Sequence, residues 1–325
     1  MSNFTVVNEF LLVGFSDTRE LQIVYSLLFL LIFLVTLLGN LLIVIITTID
    51  RRLHNPMYFF LRNLSMVDAC YITVILPKAS TNSLLNTRAI SKSECVAQIF
   101  LVVFFIYVEL TCLTIMARDR YVAICHPLHY TAIVSPQVGT QMTLMCLLTG
   151  LLYAGFHTGY TFRLPFCHSN VIHQFFCDIP SLLKLSCSET FSNEILIAVS
   201  VGCFVFITTS ISIFSTVLRF PVKEDQRKTF STCVPHIIVV SLFLISSSYE
   251  HLQPPSYSGS LKDIILSIFY SIISPFLNPI TYSPWNKQIK EAARTVMKRM
   301  FLNLYHKWFR GFFFQLKCTQ TVLIL

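Results

Sequence analysis

Three charged residues, Arg118, Asp119 and Arg120, stand together at the end of a long apolar run. The run, Cys95–Met116, contains one charged side chain, Glu109. Residues at helical spacing from Arg120 share one helix face, which carries Met116, Leu113, Glu109, Ile106 and Val102. A charge inside a membrane helix is expensive and normally faces the interior of a helix bundle. The spacing therefore predicts that this face points inward and that the three charges lie at the edge of the apolar region.

Polar side chains that could meet Glu109 stand within three other apolar runs. One is a second acid, Asp68, and the other two are the amides Asn40 and Asn278. Two acids and two amides on separate helices predict a buried polar cluster. The residues alone leave two interpretations open: the cluster holds a cation, or both acids are protonated and hydrogen-bonded without an ion.

The composition indicates that membrane helices position these residues. Of the 325 residues, 54% are hydrophobic and only 12% are charged, whereas soluble domains carry about 25% charged residues. A membrane-spanning helix needs about 20 mostly apolar residues. Seven runs of that kind predict seven spans, namely Leu21–Ile49, Met57–Pro77, Cys95–Ala117, Gln137–Phe162, Ile195–Leu218, Thr229–Tyr249 and Ile264–Trp285.

The distribution of basic residues predicts the orientation of the spans. Most lysines and arginines lie in the segments on the side of the C-terminus, which favours a cytoplasmic C-terminus and an extracellular N-terminus. Asn3, in the acceptor triplet Asn-Phe-Thr, would then face the compartment where glycosylation takes place. The net charge of +8 follows the membrane edges, and this argues against a nucleic-acid partner.

Four cysteines fall on the outer side under this topology: Cys95, Cys167, Cys177 and Cys187. The oxidising environment there favours disulfides over free thiols. Four cysteines allow three pairings, and their spacing does not choose among them.

The segment "MARDRYVAIC", residues 116–125, resembles the end of the third helix in rhodopsin-like G-protein-coupled receptors, and more narrowly in odorant receptors. Other runs agree in order and spacing, among them "LHNPMYFFLRNLSMVD" (53–68), "RKTFSTCVPH" (227–236) and "NPITYSPWNK" (278–287). The resemblance covers residues 9–299. It implies an all-α, seven-transmembrane helix bundle with an extracellular N-terminus and a short amphipathic cytoplasmic helix after the seventh span.

The resemblance also implies a function. The chain would be a multi-pass plasma-membrane receptor, and not an enzyme, that binds small, mostly apolar volatile ligands within the bundle. It would activate a heterotrimeric G protein of the stimulatory type and raise cyclic AMP, with no cofactor. Residues 1–300 would form the receptor domain. Residues 301–325 would be an atypical tail, rich in aromatic and basic residues, that contacts membrane lipid or has no role.

Each candidate site residue takes a role from the same resemblance. The switch that receives the G protein would be Asp119, Arg120 and Tyr121, with Asp119 paired to Arg120 in the inactive state. The polar cluster would be a sodium or proton site. Two disulfides would form, Cys95 with Cys177 and Cys167 with Cys187. The ligand pocket would be lined by Val102, Val103, Ile106, Tyr107, Ala198, Ser247, Ser248, His251, Ile268 and Ser271.

Two other functions compete with this interpretation. A receptor of the same fold could serve outside the nose with another small ligand. An ion-coupled transporter could use Asp68 and Glu109 as its ion path, although the sequence shows no internal repeat to support one. Ser210 and Leu244 stand where the family usually has tyrosines, and Pro284 and Trp285 also depart from the family pattern.

Overall fold

A computed structural model gives the fold of the chain. It describes residues 9–12, 18–125, 128, 130, 135–166, 170–172, 174–186, 211, 238, 241–242, 245, 268–269, 271–280, 288–296 and 298. The described helices are α1 (Arg19–Ile49), α2 (Pro56–Leu85), α3 (Lys92–Cys125), α4 (Pro136–Thr161) and the short α5 (Ile179–Leu185), with a 3-10 turn at Arg51–Leu53. Three short strands are β1 (Glu9–Leu12), β2 (Ala89–Ser91) and β3 (Val171–Ile172). Residues 271–280, which lie in the predicted seventh span and are called the seventh helix, and residues 288–296 are also helical.

The first four predicted spans are confirmed. In the described part of the chain, four helices are long and apolar enough to cross a membrane: Arg19–Ile49, Pro56–Leu85, Lys92–Ala123 and Gln137–Thr161. Their outer faces carry exposed large apolar side chains, such as Leu31 on α1 and Leu152 on α4, which suit contact with lipid. The predicted spans Ile195–Leu218 and Thr229–Tyr249 lie almost wholly outside the described residues, and Ile264–Trp285 is described in part.

Two of the predicted spans end too early, because the helices continue beyond them. Helix α2 continues past Pro77 to Leu85, because its packing on α1 continues: the Ser26 hydroxyl donates to the Ser80 carbonyl, 3.0 Å away. Membrane helices tolerate an internal proline, whose missing N–H leaves one carbonyl to be satisfied locally. The helix ends at Asn86, whose φ of 52° is the left-handed conformation common just past a helix end. Helix α3 likewise runs beyond Ala117 to Cys125, so the three charges lie within it.

The outer ends of the helices are covered by a small sheet that the apolar pattern did not predict. Strand β1 is its middle strand, antiparallel to β2 and parallel to β3. Side chains alternate along a strand, so Phe10 and Leu12 are buried while Glu9 and Leu11 are exposed. Phe10 packs in an apolar cluster that also contains Ile90, Ile172 and the two cysteines Cys95 and Cys177.

At the opposite end, residues 288–296 form the short amphipathic helix that was expected after the seventh span. Its buried side chains are Ile289, Ala292 and Val296, and they pack in one cluster with the inner ends of α1, α2 and α3. The Tyr58 hydroxyl donates to Gln288 Oε1 at 2.8 Å and fixes this helix to α2. The chain thus has a packed cluster at each end of the bundle, with a third between them.

Candidate functional site

The two membrane acids lie together with Asn278 in the middle of the bundle. The Asn278 amide donates to Asp68 Oδ2 at 2.8 Å and to Glu109 Oε1 at 3.3 Å. The Ser274 hydroxyl also donates to Glu109 Oε1. All four side chains are buried. The structure therefore brings together three of the four predicted residues and adds Ser274, which lies one helical turn before Asn278 on the same face.

The fourth predicted residue, Asn40, anchors α1 beside this cluster. Its amide nitrogen donates to the carbonyls of Thr36 and Pro275, each at 3.0 Å. Gly39 lets α1 approach the helix of residues 271–280 closely, because a Cβ at position 39 would lie 3.2 Å from the Pro279 Cβ. Asn40 is thus held against the helix that supplies Ser274 and Asn278.

Three buried oxygen atoms around the cluster find no hydrogen-bond partner among the described residues. They are Asp68 Oδ1, Asn40 Oδ1 and Ser65 Oγ. Buried polar atoms are normally paired, because leaving one unsatisfied costs about 1–3 kcal/mol. Carboxylate, amide and hydroxyl oxygens are also the atoms that bind hard cations. The residues at this place therefore fit a small cation.

At the inner end of α3, two side chains donate hydrogen bonds to the Asp119 carboxylate. This group of Asp119, Arg120 and Tyr130 is called the lock. Asp119 is buried, and its Oδ2 accepts a hydrogen bond from the Arg120 guanidinium at 2.7 Å. Its Oδ1 accepts a second from the Tyr130 hydroxyl at 2.8 Å. Burial and the Asp119 carboxylate raise the pKa of Tyr130, so the phenol stays protonated and donates. Tyr130 was not among the predicted residues.

The neighbouring side chains of Arg118 and Tyr121 lie against each other. The guanidinium carbon of Arg118 lies 5.7 Å from the centre of the Tyr121 ring, a cation–π distance. Arg118 itself is exposed, whereas Tyr121 is half-buried. The predicted switch residues therefore separate into a hydrogen-bonded pair, Asp119 and Arg120, and a ring that faces Arg118.

At the outer end, Cys95 and Cys177 form a disulfide, with their Cα atoms 5.5 Å apart. This is the pairing that the resemblance implied. The start of α3 is fixed by a capping box: Ser91 Oγ accepts from the Glu94 N–H at 3.2 Å, and Glu94 Oε2 accepts from the Ser91 N–H at 3.2 Å. The Gln98 side chain also accepts from the Cys177 N–H at 2.9 Å. Cys167, Cys187 and Asn3 lie outside the described residues.

The predicted pocket residues on α3 point in different directions. Val102, Ile106 and Ile268 belong to the middle apolar cluster, and Ser271 is buried on the same helix segment as Ile272. Val103 packs instead against the outer cluster. The Tyr107 ring stacks on Tyr153 of α4, with ring centres 4.9 Å apart. Ala198, Ser247, Ser248 and His251 lie outside the described residues.

Comparisons with known proteins give a single answer. The family model described as olfactory receptor matches residues 29–303. The chain is 62% identical over 307 residues to Olfactory receptor 14C36 of Homo sapiens, covering 93% of this chain and 98% of the relative. It is 48% identical over 304 residues to Olfactory receptor 14A16 of Homo sapiens, covering 92% and 98%. It is 42% identical over 313 residues to Olfactory receptor 5T9 of Mus musculus, covering 94% and 95%.

Proposed function

The chain belongs to the olfactory receptor family of seven-helix, G-protein-coupled odorant receptors, and we propose that its odorant pocket lies between α3 and the seventh helix. It is a multi-pass protein of the plasma membrane with an extracellular N-terminus, and it is a receptor rather than an enzyme. Its ligand is an odorant and its partner is a G protein.

The pocket proposal rests on the contact between α3 and the seventh helix. Val102 and Ile106 of α3 pack in one apolar cluster with Ile268 and Ile272. An apolar site of this kind suits a small volatile molecule, since burial drives binding and a few polar groups orient the ligand. Ser271, the residue before Ile272, is buried and would supply a hydroxyl. Val103, Tyr107, Ala198, Ser247, Ser248 and His251 remain part of the proposed lining.

A panel of volatile compounds, read out as cyclic AMP in cells at matched surface expression, tests this pocket. Ile106→Ala and Ile268→Ala should change the order in which compounds activate the receptor. Val24→Ala is the control, because Val24 is 56% exposed on the lipid-facing side of α1. If both pocket variants keep the wild-type order of compounds, the pocket is placed wrongly.

We propose that Asp119 and Arg120 form the inactive state of the G-protein switch. When the ligand binds, Arg120 leaves Asp119 and contacts the G protein, which we expect to be the stimulatory type that raises cyclic AMP. The ion pair and the Tyr130 hydrogen bond support this role, since both hold the carboxylate and the guanidinium in one arrangement. A ligand that favours the other arrangement shifts the population between the two states.

We also propose that the polar cluster holds a sodium ion in the inactive state. Asp68 and Glu109 would supply negative charge, and the free oxygens of Asn40 and Ser65 would supply neutral ligands. The ion would hold α1, α2, α3 and the seventh helix together, and its loss would accompany activation. For residues 301–325, contact of the basic and aromatic side chains with inner-leaflet lipid remains part of the proposal.

A further inference from the structure

A cavity of about 330 Å³ opens at the inner end of the bundle, the end opposite the proposed odorant pocket. The end of α1, the turn that follows it and the first turns of α2 and α4 form its walls. Among the lining side chains are His54, Phe59, Arg62, Gly139 and Thr140. Small-molecule pockets in proteins begin at about 300 Å³, so this cavity is large enough for a ligand group.

Arg62 makes this cavity chemically unusual. It lies within the membrane helix α2, and its guanidinium carbon is 5.5 Å from the centre of the Phe59 ring. None of the ion pairs in the described part of the chain involves Arg62. Charged residues within membrane helices normally pair with another group. A half-buried guanidinium without an acidic partner among the described residues fits an anion from outside, and its planar donors match a phosphate.

An apolar surface continues from the cavity toward the middle of the membrane. Met66 lies one turn beyond Arg62 on α2 and is 51% exposed. Leu144 and Leu148 lie one and two turns beyond Thr140 on α4 and are 54% and 56% exposed. The Asn63 amide and the Thr143 hydroxyl, 3.5 Å apart, join the two helices beside this surface. A polar cavity that continues into an apolar groove fits a molecule with a charged head and a hydrocarbon chain.

We propose that this cavity binds the phosphate headgroup of an anionic phospholipid from the cytoplasmic leaflet. Arg62 binds the phosphate, and the acyl chain lies along Met66, Leu144 and Leu148. The cytoplasmic leaflet carries the anionic lipids, and this is the end of the bundle at which the cavity opens. The proposal concerns a lipid site of the receptor and is independent of the odorant and its pocket.

The test uses the purified full-length receptor in nanodiscs of phosphatidylcholine with a limiting fraction of phosphatidylserine. Native mass spectrometry counts the lipids that stay bound as the phosphatidylserine fraction is raised. The wild type should retain phosphatidylserine in preference to phosphatidylcholine. Arg62→Gln should weaken this retention by about tenfold, which corresponds to about 1.4 kcal/mol. Arg62→Lys keeps the charge and should bind more tightly than Arg62→Gln.

A second variant removes the space without removing the charge. A Cβ added to Gly139 would meet Phe59 at 3.6 Å, so Gly139→Ala fits and serves as the mild control, whereas Gly139→Leu fills the cavity. Gly139→Leu should therefore reduce phosphatidylserine retention while Gly139→Ala retains it. This pair keeps the test valid if Arg62→Gln does not fold.

Three results would overturn the proposal. The first is an equal loss of phosphatidylserine retention in Arg62→Gln and Arg51→Gln. Arg51 is exposed outside the cavity, so its variant measures general attraction to an anionic surface. The second is displacement of the bound lipid by inorganic phosphate, which would show a site for a free anion. The third is equal retention of phosphatidylcholine or cholesterol by the wild type, which would show an apolar lipid site that does not read charge.

Discussion

At the scale of single residues, Asp119 holds the inner end of α3 in one arrangement. Both of its oxygens accept hydrogen bonds, one from Arg120 and one from Tyr130. Hydrogen bonds to a charged group contribute about 1.5–3 kcal/mol each, which is comparable to the free-energy difference between two receptor states. The Tyr130 bond acts on Arg120 indirectly, because it fixes the carboxylate that the guanidinium must leave.

We predict that Tyr130→Phe raises basal signalling. The ring and its packing remain, but Asp119 loses one donor and holds Arg120 less firmly. A tenfold change in a two-state ratio needs about 1.4 kcal/mol, so basal cyclic AMP should rise by up to about tenfold at matched surface expression. Tyr160→Phe is the matched control, since this tyrosine stacks on Phe156 of α4, away from the lock.

Arg120→Ala should behave in the opposite way from Tyr130→Phe. Without the guanidinium the receptor should still reach the surface but should not respond to any ligand. Arg120 lies about 27 Å along the helix from Val102, at about 1.5 Å per residue, so the loss would not come from ligand contact. Unchanged basal output in Tyr130→Phe together with a normal response in Arg120→Ala would refute the proposed lock.

We predict that the stability of the receptor depends on sodium through Asp68. Purified wild-type receptor should gain thermal stability in sodium chloride over choline chloride, and Asp68→Asn should remove that gain. The reason is that the variant loses a negative ligand while it keeps nearly the same shape. Glu94→Gln is the control, because Glu94 is an exposed acid at the outer end of α3. If sodium chloride raises the thermal stability of Asp68→Asn as much as that of the wild type, the cluster is a hydrogen-bonded structure without an ion.

The sequence predicted part of this chemistry and missed the rest for clear reasons. Asp68, Glu109 and Asn278 stand out because polar residues are rare in apolar runs. Ser274 does not stand out, since serines are common in membrane helices and its role depends on where α3 packs. Tyr130 lies eleven residues beyond Asp119 and outside α3, which ends at Cys125, so no spacing within one helix relates the two. Tyr107 has a pocket position by resemblance, but its ring stacks on α4.

At the scale of elements, the N-terminal strand joins parts of the outer surface that are distant in the chain. Strand β1 pairs with β2 before α3 and with β3 in the loop that carries Cys177. The four residues Glu9–Leu12 predict neither partner, because the pairing depends on contacts about 80 and 160 residues away. The long helices could be predicted because their signal is local and repeats over many turns.

We predict that Phe10→Ala prevents normal surface display, whereas Leu11→Ala does not. Both residues lie on β1, but Phe10 is fully buried and Leu11 is 37% exposed. Truncating a buried phenylalanine costs about 3–5 kcal/mol, and here it would loosen the sheet from the outer cluster. Flow cytometry of an extracellular epitope tag, compared with total protein, measures the effect. Equal display of the two variants would show that the strand is not needed to close the outer end.

At the scale of the whole molecule, the described residues form three apolar clusters along the bundle, and different contacts stabilise each cluster. A disulfide and a sheet hold the outer cluster, whereas the helix of residues 288–296 holds the inner one. The polar cluster ties α2, α3 and the seventh helix, and Asn40 adds α1. The proposed switch and the proposed lipid site both lie at the inner end, so the rigid outer end can position a ligand while the inner end changes state.

The Cys95–Cys177 disulfide holds the outer end of the bundle together. Cys95 and Cys177 are separated by 82 residues, and a bridge across a loop of that length stabilises by about 4.5 kcal/mol in the chain-entropy estimate. It also fixes the outer loop, which supplies β3, to the start of α3. Cys95→Ala and Cys177→Ala should therefore each lose most surface display, and the double variant should be no worse than either, because each change breaks the same bond. Cys70→Ala is the control, since Cys70 is a free, exposed cysteine on α2. Additive losses in the double variant, or normal display and odorant response in Cys177→Ala, would show that the bridge does not hold the outer end together.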